Sequence, residues 1–425
     1  MDNHTSEQRK INASIITIGD ELLIGQVVDT NSAWMAQELN KIGIWMKRKV
    51  AVGDDRQEII RALDEEAQVS DVVLITGGLG PTADDITKPV LCDYFGGKLV
   101  LNEQVLAHIT HIFEKILKKP VTEVNRKQAE VPDTCTVLDN SWGTAPGMLF
   151  EKNGKLFISM PGVPMEMKGI MQHRVMDVLK ERFTLPVILH QTVLLAGIGE
   201  SMLADIIKDW EAALPPYIKL AYLPNYGLVR LRMTATGNDK SQLETELEER
   251  LETLKPLVKE WMVIDEDLTI QQAVGKMLKE RKQTTGTAES CTGGYVAHLL
   301  TMDAGASSNF KGSIVSYDNA VKTDVLGVSS ETLESVGAVS EETVTQMVKG
   351  ALKVLKTDYA IATSGIMGPD GGTEKKAVGT VWIGVGNKDR IVTQLFHFRF
   401  DRLRNIELTA MNALNMLRKF INGID

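Results

Sequence analysis

Cysteine is scarce in this chain. Cys92, Cys135 and Cys291 are the whole complement, too few for a disulfide framework and with no C-x-x-C pair among them, which points to a reducing compartment. Aromatic residues make up only 5%, so a base-stacking surface is not expected. Basic charge is also short: 47 Lys and Arg stand against 56 Asp and Glu, a formal net charge of -9. Such a balance excludes the broad basic footprint that wrapping nucleic acid requires, while leaving room for a local pocket that binds one small phosphate. No apolar run approaches the roughly 18 residues of a membrane helix. The opening MDNHTSEQRKIN is polar and lacks the apolar core of a signal peptide. The expectation is a cytoplasmic protein with neither a membrane nor a nucleic-acid partner.

What is present is ordinary globular composition, 43% hydrophobic and 24% charged, over a length that suits about two to four domains. No repeat and no low-complexity stretch occurs. Three blocks emerge, at 1–168, 169–262 and 263–425. In the first, strand-like runs at Ala13–Gly19, Trp45–Val52 and Asp71–Thr76 alternate with helical spacing at Asn31–Gly43 and Arg56–Val69, predicting βαβ units, a mainly parallel sheet and three α/β layers. The second block reads βαββα, a small α+β unit whose acidic helix ETELEERLE is a solvated face. The third is again α/β. It pairs strands at Thr284–Ala288, Gly312–Tyr317 and Tyr359–Thr363 with helices, then a meander over Gly379–Gly384 and Ile391–Phe400, and a closing helix at Arg402–Ile421.

Parallel sheets place ligands beyond the carboxyl ends of their strands. In the third block that position holds T-A-E-S-C-T-G-G, Thr287–Gly294. An apolar strand running into a small-residue turn and a helix exposes a side chain and aims helix-start N–H groups at the same point. Ser290 and Cys291 compete as nucleophile. No histidine has an obvious claim to be the base; the alternative is a lysine or tyrosine of lowered pKa, and Y-D-N-A-V-K offers Tyr317 and Lys322 at the adjacent sheet edge. Glu289 is either a strand-end charge or a ligand contact. The loop Thr363–Thr373, T-S-G-I-M-G-P-D-G-G-T, is either a tight turn or a cradle for phosphate or ribose.

The first block carries a second candidate site. T-G-G-L-G-P-T-A-D-D-I-T-K, Thr76–Lys88, follows a buried strand directly, and its glycines let a ligand approach the backbone. Asp84 and Asp85 are read as opening the next helix, one as an N-cap and the other suited to an oxygen-seeking divalent ion. G-D-E-L-L-I-G-Q-V-V-D-T-N contributes Asp20, Glu21 and Asn31. N-R-K-Q-A at Asn125–Ala129, G-T-A-P-G at Gly143–Gly147 and P-G-V-P-M-E-M at Pro161–Met167 complete the set. His108 and His111 could hold a metal but read as a solvated helix face.

TAESCTGG, YDNAVK and SGIMGPDGGTEKKAVGTVWIG resemble the C-terminal domain of the competence/damage-inducible CinA family. The resemblance implies a nicotinamide mononucleotide deamidase without a cofactor, its serine nucleophile mapping onto Ser290, its tyrosine onto Tyr317 and its lysine onto Lys322. It implies substrate contacts from Glu289, Thr292 and Gly293 of the turn, from Ser364, Gly365 and Gly368 of the loop, and from Arg402 and Arg404. The loop departs from the family's Thr-Gly-Ile-Ala-Gly-Pro at Ser364, Met367 and Asp370. Arg402 matches the start of a Gly-Asp-Arg motif, but the following arginine position holds Ile406, so Arg404 is the substitute.

The first block resembles the family's molybdopterin-binding-like domain, and the middle block its KH-like domain, here without a basic face. That resemblance implies an ADP-ribose pyrophosphatase using Mg, Mn or Co. Its nucleotide contacts would come from Asn31, Gly77, Gly78, Gly80 and Thr82, and from Asn125, Gly143, Thr144, Pro161 and Gly162. Asp20, Glu21, Asp84 and Asp85 would hold the metal. It also implies a homodimer. The alternative is a non-catalytic nucleotide-binding adaptor tied to competence or cofactor sensing, and cysteine rather than serine chemistry is a third possibility.

Overall fold

A computed structural model describes residues 10–82 and 84–424. The leader reading, which rests on the first nine residues, and Ala83 of the Thr76–Lys88 motif lie outside these. The chain divides into two compact units, one up to Leu189 with Thr236–Lys240, the other His190–Ala235 with Ser241 onwards. Among the described residues no helix is long and apolar enough to cross a membrane.

The first unit is built on strands β1 (Asn12–Ile18), β2 (Trp45–Val52) and β3 (Val72–Thr76), a small pair β4 (Leu99–Leu101) and β5 (Glu130–Pro132), then β6 (Thr136–Leu138), β7 (Gly147–Lys152) and β8 (Lys155–Met160). The main sheet runs β2-β1-β3-β8-β7-β6, parallel as far as β8 and antiparallel beyond it. A parallel strand buried on both faces reads as an unbroken apolar run, and VVLIT of β3 is fully buried. Its residues alternate between two cores. Val72 and Leu74 join Met35 and Leu39 of the helix Thr30–Lys41, whereas Val73 and Ile75 join Ile59 and Leu63 of the helix Arg56–Val69. That is the expected three-layer sandwich. A helical run from Pro164 to Arg182 continues past the expected break at residue 168, because Met167, Ile170, Val175 and Leu179 all pack into the first of these cores.

Apart from the few end residues assigned to the first unit, the second unit holds β9 (Val187–Ala196), β10 (Ile218–Asn225), β11 (Leu228–Gly237) and β12 (Met262–Ile264) in the order β10-β11-β9-β12, with helices Glu200–Ala212 and Lys240–Val258. The βαββα order of the middle block is therefore present. It continues into β13 (Thr285–Glu289), β14 (Phe310–Val315), β15 (Tyr359–Gly365), β16 (Thr380–Gly386) and β17 (Ile391–His397), ordered β14-β13-β15-β16-β17. The first three are parallel, and β16 and β17 form the antiparallel meander. Ala288, Ala360 and Ala362 face the helix Glu341–Leu355, while Ile361, Val381 and Ile383 face the helices Ile270–Glu280 and Arg402–Ile421. Leu194 of β9 lies in the latter core, so the middle and third blocks share buried surface.

Candidate functional sites

The turn after β13 is pinned on both sides. Ser316 N–H donates to Glu289 O at 2.8 Å, and Ser290 N–H donates to Thr363 O at 2.9 Å. This sets Ser290 at the carboxyl edge of the sheet, half-buried, with a hydroxyl that has no hydrogen-bond partner among the described residues. Lys322, from the short helix Asn319–Asp324, reaches the same edge: its Nζ donates to Ser316 O at 2.8 Å and to Tyr317 O at 3.3 Å. The side chain is 1% exposed, and its hydrogen bonds go to carbonyls rather than to a carboxylate. Burial pushes its pKa below the ordinary 10.5, with Asp318 and Cys291 pulling the other way. Among the described residues no direct hydrogen bond joins Ser290 to Lys322.

Tyr317 is 62% exposed, and its phenol oxygen accepts from Arg402 Nη2 at 2.9 Å. Its own O–H stays free to donate. Cys291 is the weaker nucleophile on physical grounds. It is 5% exposed, and burial pushes its thiol up to about 12, leaving almost no thiolate at neutral pH. Beside Ser290, the N–H groups of Cys291 and Thr292 donate to no other oxygen among the described residues, whereas Ser290 N–H is engaged.

Several expected substrate contacts are taken up by the chain itself. Glu289 is fully buried, and its carboxylate accepts from Thr287 Oγ1, Thr292 Oγ1 and the N–H groups of Gly294, Val296 and Ala297, at 2.7–3.0 Å. It caps the helix Tyr295–Thr301, a favourable seat for an anion, and has no lone pair left for a ligand. Thr292, 3% exposed, bonds Glu289 and Thr363. Ser364, 1% exposed, donates to Ala338 O at 2.6 Å. Arg404 lies over the rings of Phe400 and Tyr226, 5.0 and 5.4 Å from their centroids, and is exposed. Gly293 is exposed beside the turn. Gly365 is the last residue of β15, paired with Val381 of β16, and Gly368 O accepts from Arg402 Nη1 at 2.9 Å.

In the first unit a cleft of 450 Å³ opens at the carboxyl ends of β1, β3 and β8, within the range of small-ligand sites. Asn31, Gly77, Gly78, Gly80, Thr144, Pro161 and Gly162 line it as expected, with Glu21 and Asp85. Thr82, Asn125, Gly143, Asp20 and Asp84 are not in its lining. Asn125 sits instead in a capping box with Thr122, a local helix-start signature. Gly78 has φ +62, and a Cβ there would stand 2.1 Å from Thr87 Oγ1, so the loop accepts no larger residue without shifting. Gln128 and Glu166 also line the cleft. Neither was singled out from sequence, although both fall inside quoted motifs. Burial raises the Glu166 pKa against a lowering hydrogen bond from Asn140.

Neither Asp84 nor Asp85 caps a helix: the helix Thr87–Tyr94 starts after Ile86 without a side-chain cap. Asp85 clamps the glycine loop, accepting from Gly80 N–H at 2.8 Å and Thr82 N–H at 2.9 Å, while Asp84 is exposed. Asp20 and Asp54 exchange bonds to each other's N–H, both at 3.2 Å. Burial and then the charges of Asp20, Glu21 and Asp84 raise the Asp54 pKa. Among the described residues no three His, Cys, Asp or Glu side chains converge to hold a metal by themselves. His108 Nε2 bonds Gly143 O at 3.2 Å.

Family models match all three segments: residues 14–181 the "Probable molybdopterin binding domain", 190–262 the damage-inducible protein CinA KH domain, and 267–421 the CinA C-terminal domain. A CinA-like protein of Cytophaga hutchinsonii is 48% identical over 97% of this chain and 99% of its own length. One from Flavobacterium psychrophilum is 45% identical over 96% and 98%. The crystal structure of the competence/damage inducible protein CihA from Agrobacterium tumefaciens covers 36% of this chain and 93% of that one, at 35% identity and TM-score 0.35. With its molybdopterin-binding-like domain first, the KH domain between and the CinA C-terminal domain last, the chain belongs to the CinA family.

Proposed function

We propose that the third domain hydrolyses the carboxamide of nicotinamide mononucleotide, giving nicotinate mononucleotide and ammonia. The observation that carries this reading is Lys322, a buried amine bonded only to carbonyls at the strand edge that also presents Ser290. Burial favours its neutral form, the form that accepts a proton. Ser290 Oγ attacks the amide carbon as its proton passes to Lys322, directly or through the Tyr317 phenol. The developing oxyanion meets the N–H groups of Cys291 and Thr292, each donor contributing about 3–4 kcal/mol in comparable sites. The protonated lysine returns its proton to the departing ammonia, and water then attacks the acyl ester, releasing the acid and restoring Ser290. The phosphate end is assigned to the glycine loop, where Gly371 and Gly372 N–H groups bond to nothing among the described residues.

The first-domain cleft is assigned to ADP-ribose, with hydrolysis of its pyrophosphate. A divalent ion fits the donor chemistry only as a shared ligand. Asp54 is crowded by the charges of Asp20, Glu21 and Asp84, and such an ion keeps one or two carboxylates while taking its other oxygens from phosphate and water. When bound it would supply charge neutralisation at the phosphates. Binding without turnover is the second reading of this cleft, in line with the carboxylate of Asp85 being spent on the N–H groups of Gly80 and Thr82.

Ammonia release by the full chain tests the first assignment. Ser290→Ala should lower it about a thousandfold or more, with Cys291→Ala near normal; the reverse pattern overturns serine chemistry. ADP-ribose incubated with Mg²⁺, Mn²⁺ or Co²⁺ tests the second. Cleavage products support hydrolysis, and retention of intact ligand supports the adaptor.

A further inference from the structure

We propose that Tyr226, at the tip of the middle domain's β10–β11 hairpin, is a positioning residue for amide hydrolysis in the third domain, steadying the first turn of the helix Arg402–Ile421 through the Arg404 guanidinium. This role rests on the reading of the third domain as a nicotinamide mononucleotide deamidase, and it adds to that site a part supplied by the neighbouring domain. Asn225 pairs with Leu228 across the two strands, so the hairpin turns on two residues, Tyr226 at φ +48 and Gly227 at φ +77. A two-residue turn with positive φ at both positions prefers Asn-Gly, Asp-Gly or Gly-Gly. A bulky ring at the first of them is strained. Turn chemistry therefore does not account for a tyrosine here, whereas its contacts do.

Arg404 is held between two rings, Phe400 of its own segment at 5.0 Å and Tyr226 of the middle domain at 5.4 Å. The Tyr226 phenol donates to the Glu407 carboxylate on the same helix, a bond that raises the phenol's pKa. The Glu407 charge also acts on Tyr295, whose pKa is raised first by burial and then by that carboxylate, on the helix that follows the nucleophile turn. The hairpin has a base independent of these contacts. Leu228 packs against the core that holds Leu194, and Gly197 N–H donates to Gly227 O at 3.2 Å. Towards the other end of the closing helix Arg418, 1% exposed, donates from Nη1 to Met262 O at 2.9 Å. The middle domain thus meets this helix near both ends, and Tyr226 reaches Arg404 from a fixed footing.

The turn that Arg404 steadies is the one that grips the site. Asp401 caps it, accepting from Arg404 N–H at 3.0 Å. Asn405, fully buried, donates from Nδ2 to Phe400 O at 2.9 Å and to Met367 O at 3.1 Å, tying the turn to the glycine loop. Arg402 spans from that loop, at Gly368 O, to the Tyr317 phenol. An exposed arginine keeps many rotamers unless something covers its planar head, and a ring on each face removes most of them. The stack therefore orders the turn before substrate arrives, which lowers the cost of binding and orientation. Without the Tyr226 ring, Arg402 still reaches both partners, but from a looser turn.

The test is steady-state ammonia release from nicotinamide mononucleotide by the full chain. Tyr226→Gly removes the ring where glycine suits the positive φ, so the urea midpoint should hold or rise. kcat/KM should nonetheless fall about two- to fivefold, the worth of one exposed cation–π contact. Tyr226→Phe keeps the stack and should match the unaltered protein. In an Arg402→Lys background Tyr226→Gly should cost nothing further, because the fork it steadies is already lost. Unchanged kinetics in Tyr226→Gly overturn the proposal, as does an equal loss in Tyr226→Phe. Effects of Tyr226→Gly and Arg402→Lys that simply multiply overturn it too, and so does a urea midpoint that falls together with kcat/KM. Absence of ammonia release from the unaltered chain overturns the deamidase reading and this role together, whereas release that is present but indifferent to Tyr226 overturns this role alone.

Discussion

Arg402 holds Tyr317 by its phenol oxygen. One guanidinium nitrogen, Nη2, donates to Tyr317 Oη at 2.9 Å, and the other, Nη1, donates to Gly368 O at 2.9 Å. Tyr317 and the glycine loop are thereby set by one planar fork, and the fork starts the helix Arg402–Ile421, whose N-cap is Asp401.

A lysine has no such fork, so Arg402→Lys should keep charge but lose the simultaneous grip. Turnover of nicotinamide mononucleotide should fall about ten- to a hundredfold and KM should rise, because both tyrosine and loop loosen, at about 1.4 kcal/mol per tenfold. Steady-state kinetics check this. Unchanged kcat and KM would remove Arg402 from the site.

Lys322 predicts a pH profile. The active form is the neutral amine and burial lowers its pKa from 10.5, so kcat should rise with pH through that lowered value and level off above it. Stability has the same sign. The unfolded chain binds the Lys322 proton more readily than the folded one, so this residue's contribution to stability increases with pH between the lowered value and 10.5. Below that window both states are charged and the burial cost is fully present. Lys322→Met should abolish turnover and flatten this part of the stability profile, as read by denaturant melts across pH.

Glu289→Gln should act through folding. One of its carboxylate oxygens becomes an amide nitrogen facing N–H donors, and the loss should be about 3 kcal/mol or more of stability. The measurement is the urea midpoint. Normal stability with lost ammonia release would instead make Glu289 a ligand contact.

In the first domain, Asp85→Asn should slacken the glycine loop, since an amide cannot accept at both Gly80 and Thr82. ADP-ribose affinity should drop about tenfold, the equivalent of one neutral hydrogen bond. A chelator should stop pyrophosphate cleavage and leave ammonia release untouched, as a paired assay on one sample would show.

What the sequence made legible was local. The turn Thr287–Gly294 announces itself through an apolar strand running into small residues, and Tyr317 and Lys322 follow at the next strand end. The role of Glu289 was hidden, because a strand-end carboxylate looks the same whether it meets solvent or the start of its own helix. Asp84 and Asp85 misled for a related reason: after them the chain makes one more residue of loop, Ile86, before the helix begins at Thr87. Gln128 and Glu166 reach their cleft from elements far along the chain, and no local pattern marks such convergence. The helical run through residue 168 reads as a boundary only if the core it covers is unknown.

The core that Leu194 shares with Ile361 and Leu417 bears on how this chain comes apart. A protease that nicked it between Ile264 and Ile270 would not free two tidy modules. It would bare aliphatic side chains on both fragments, which would stay clamped together or precipitate. The third domain therefore keeps part of its neighbour's first strand as a wall of its own core, and that seam would hold the two cut pieces together.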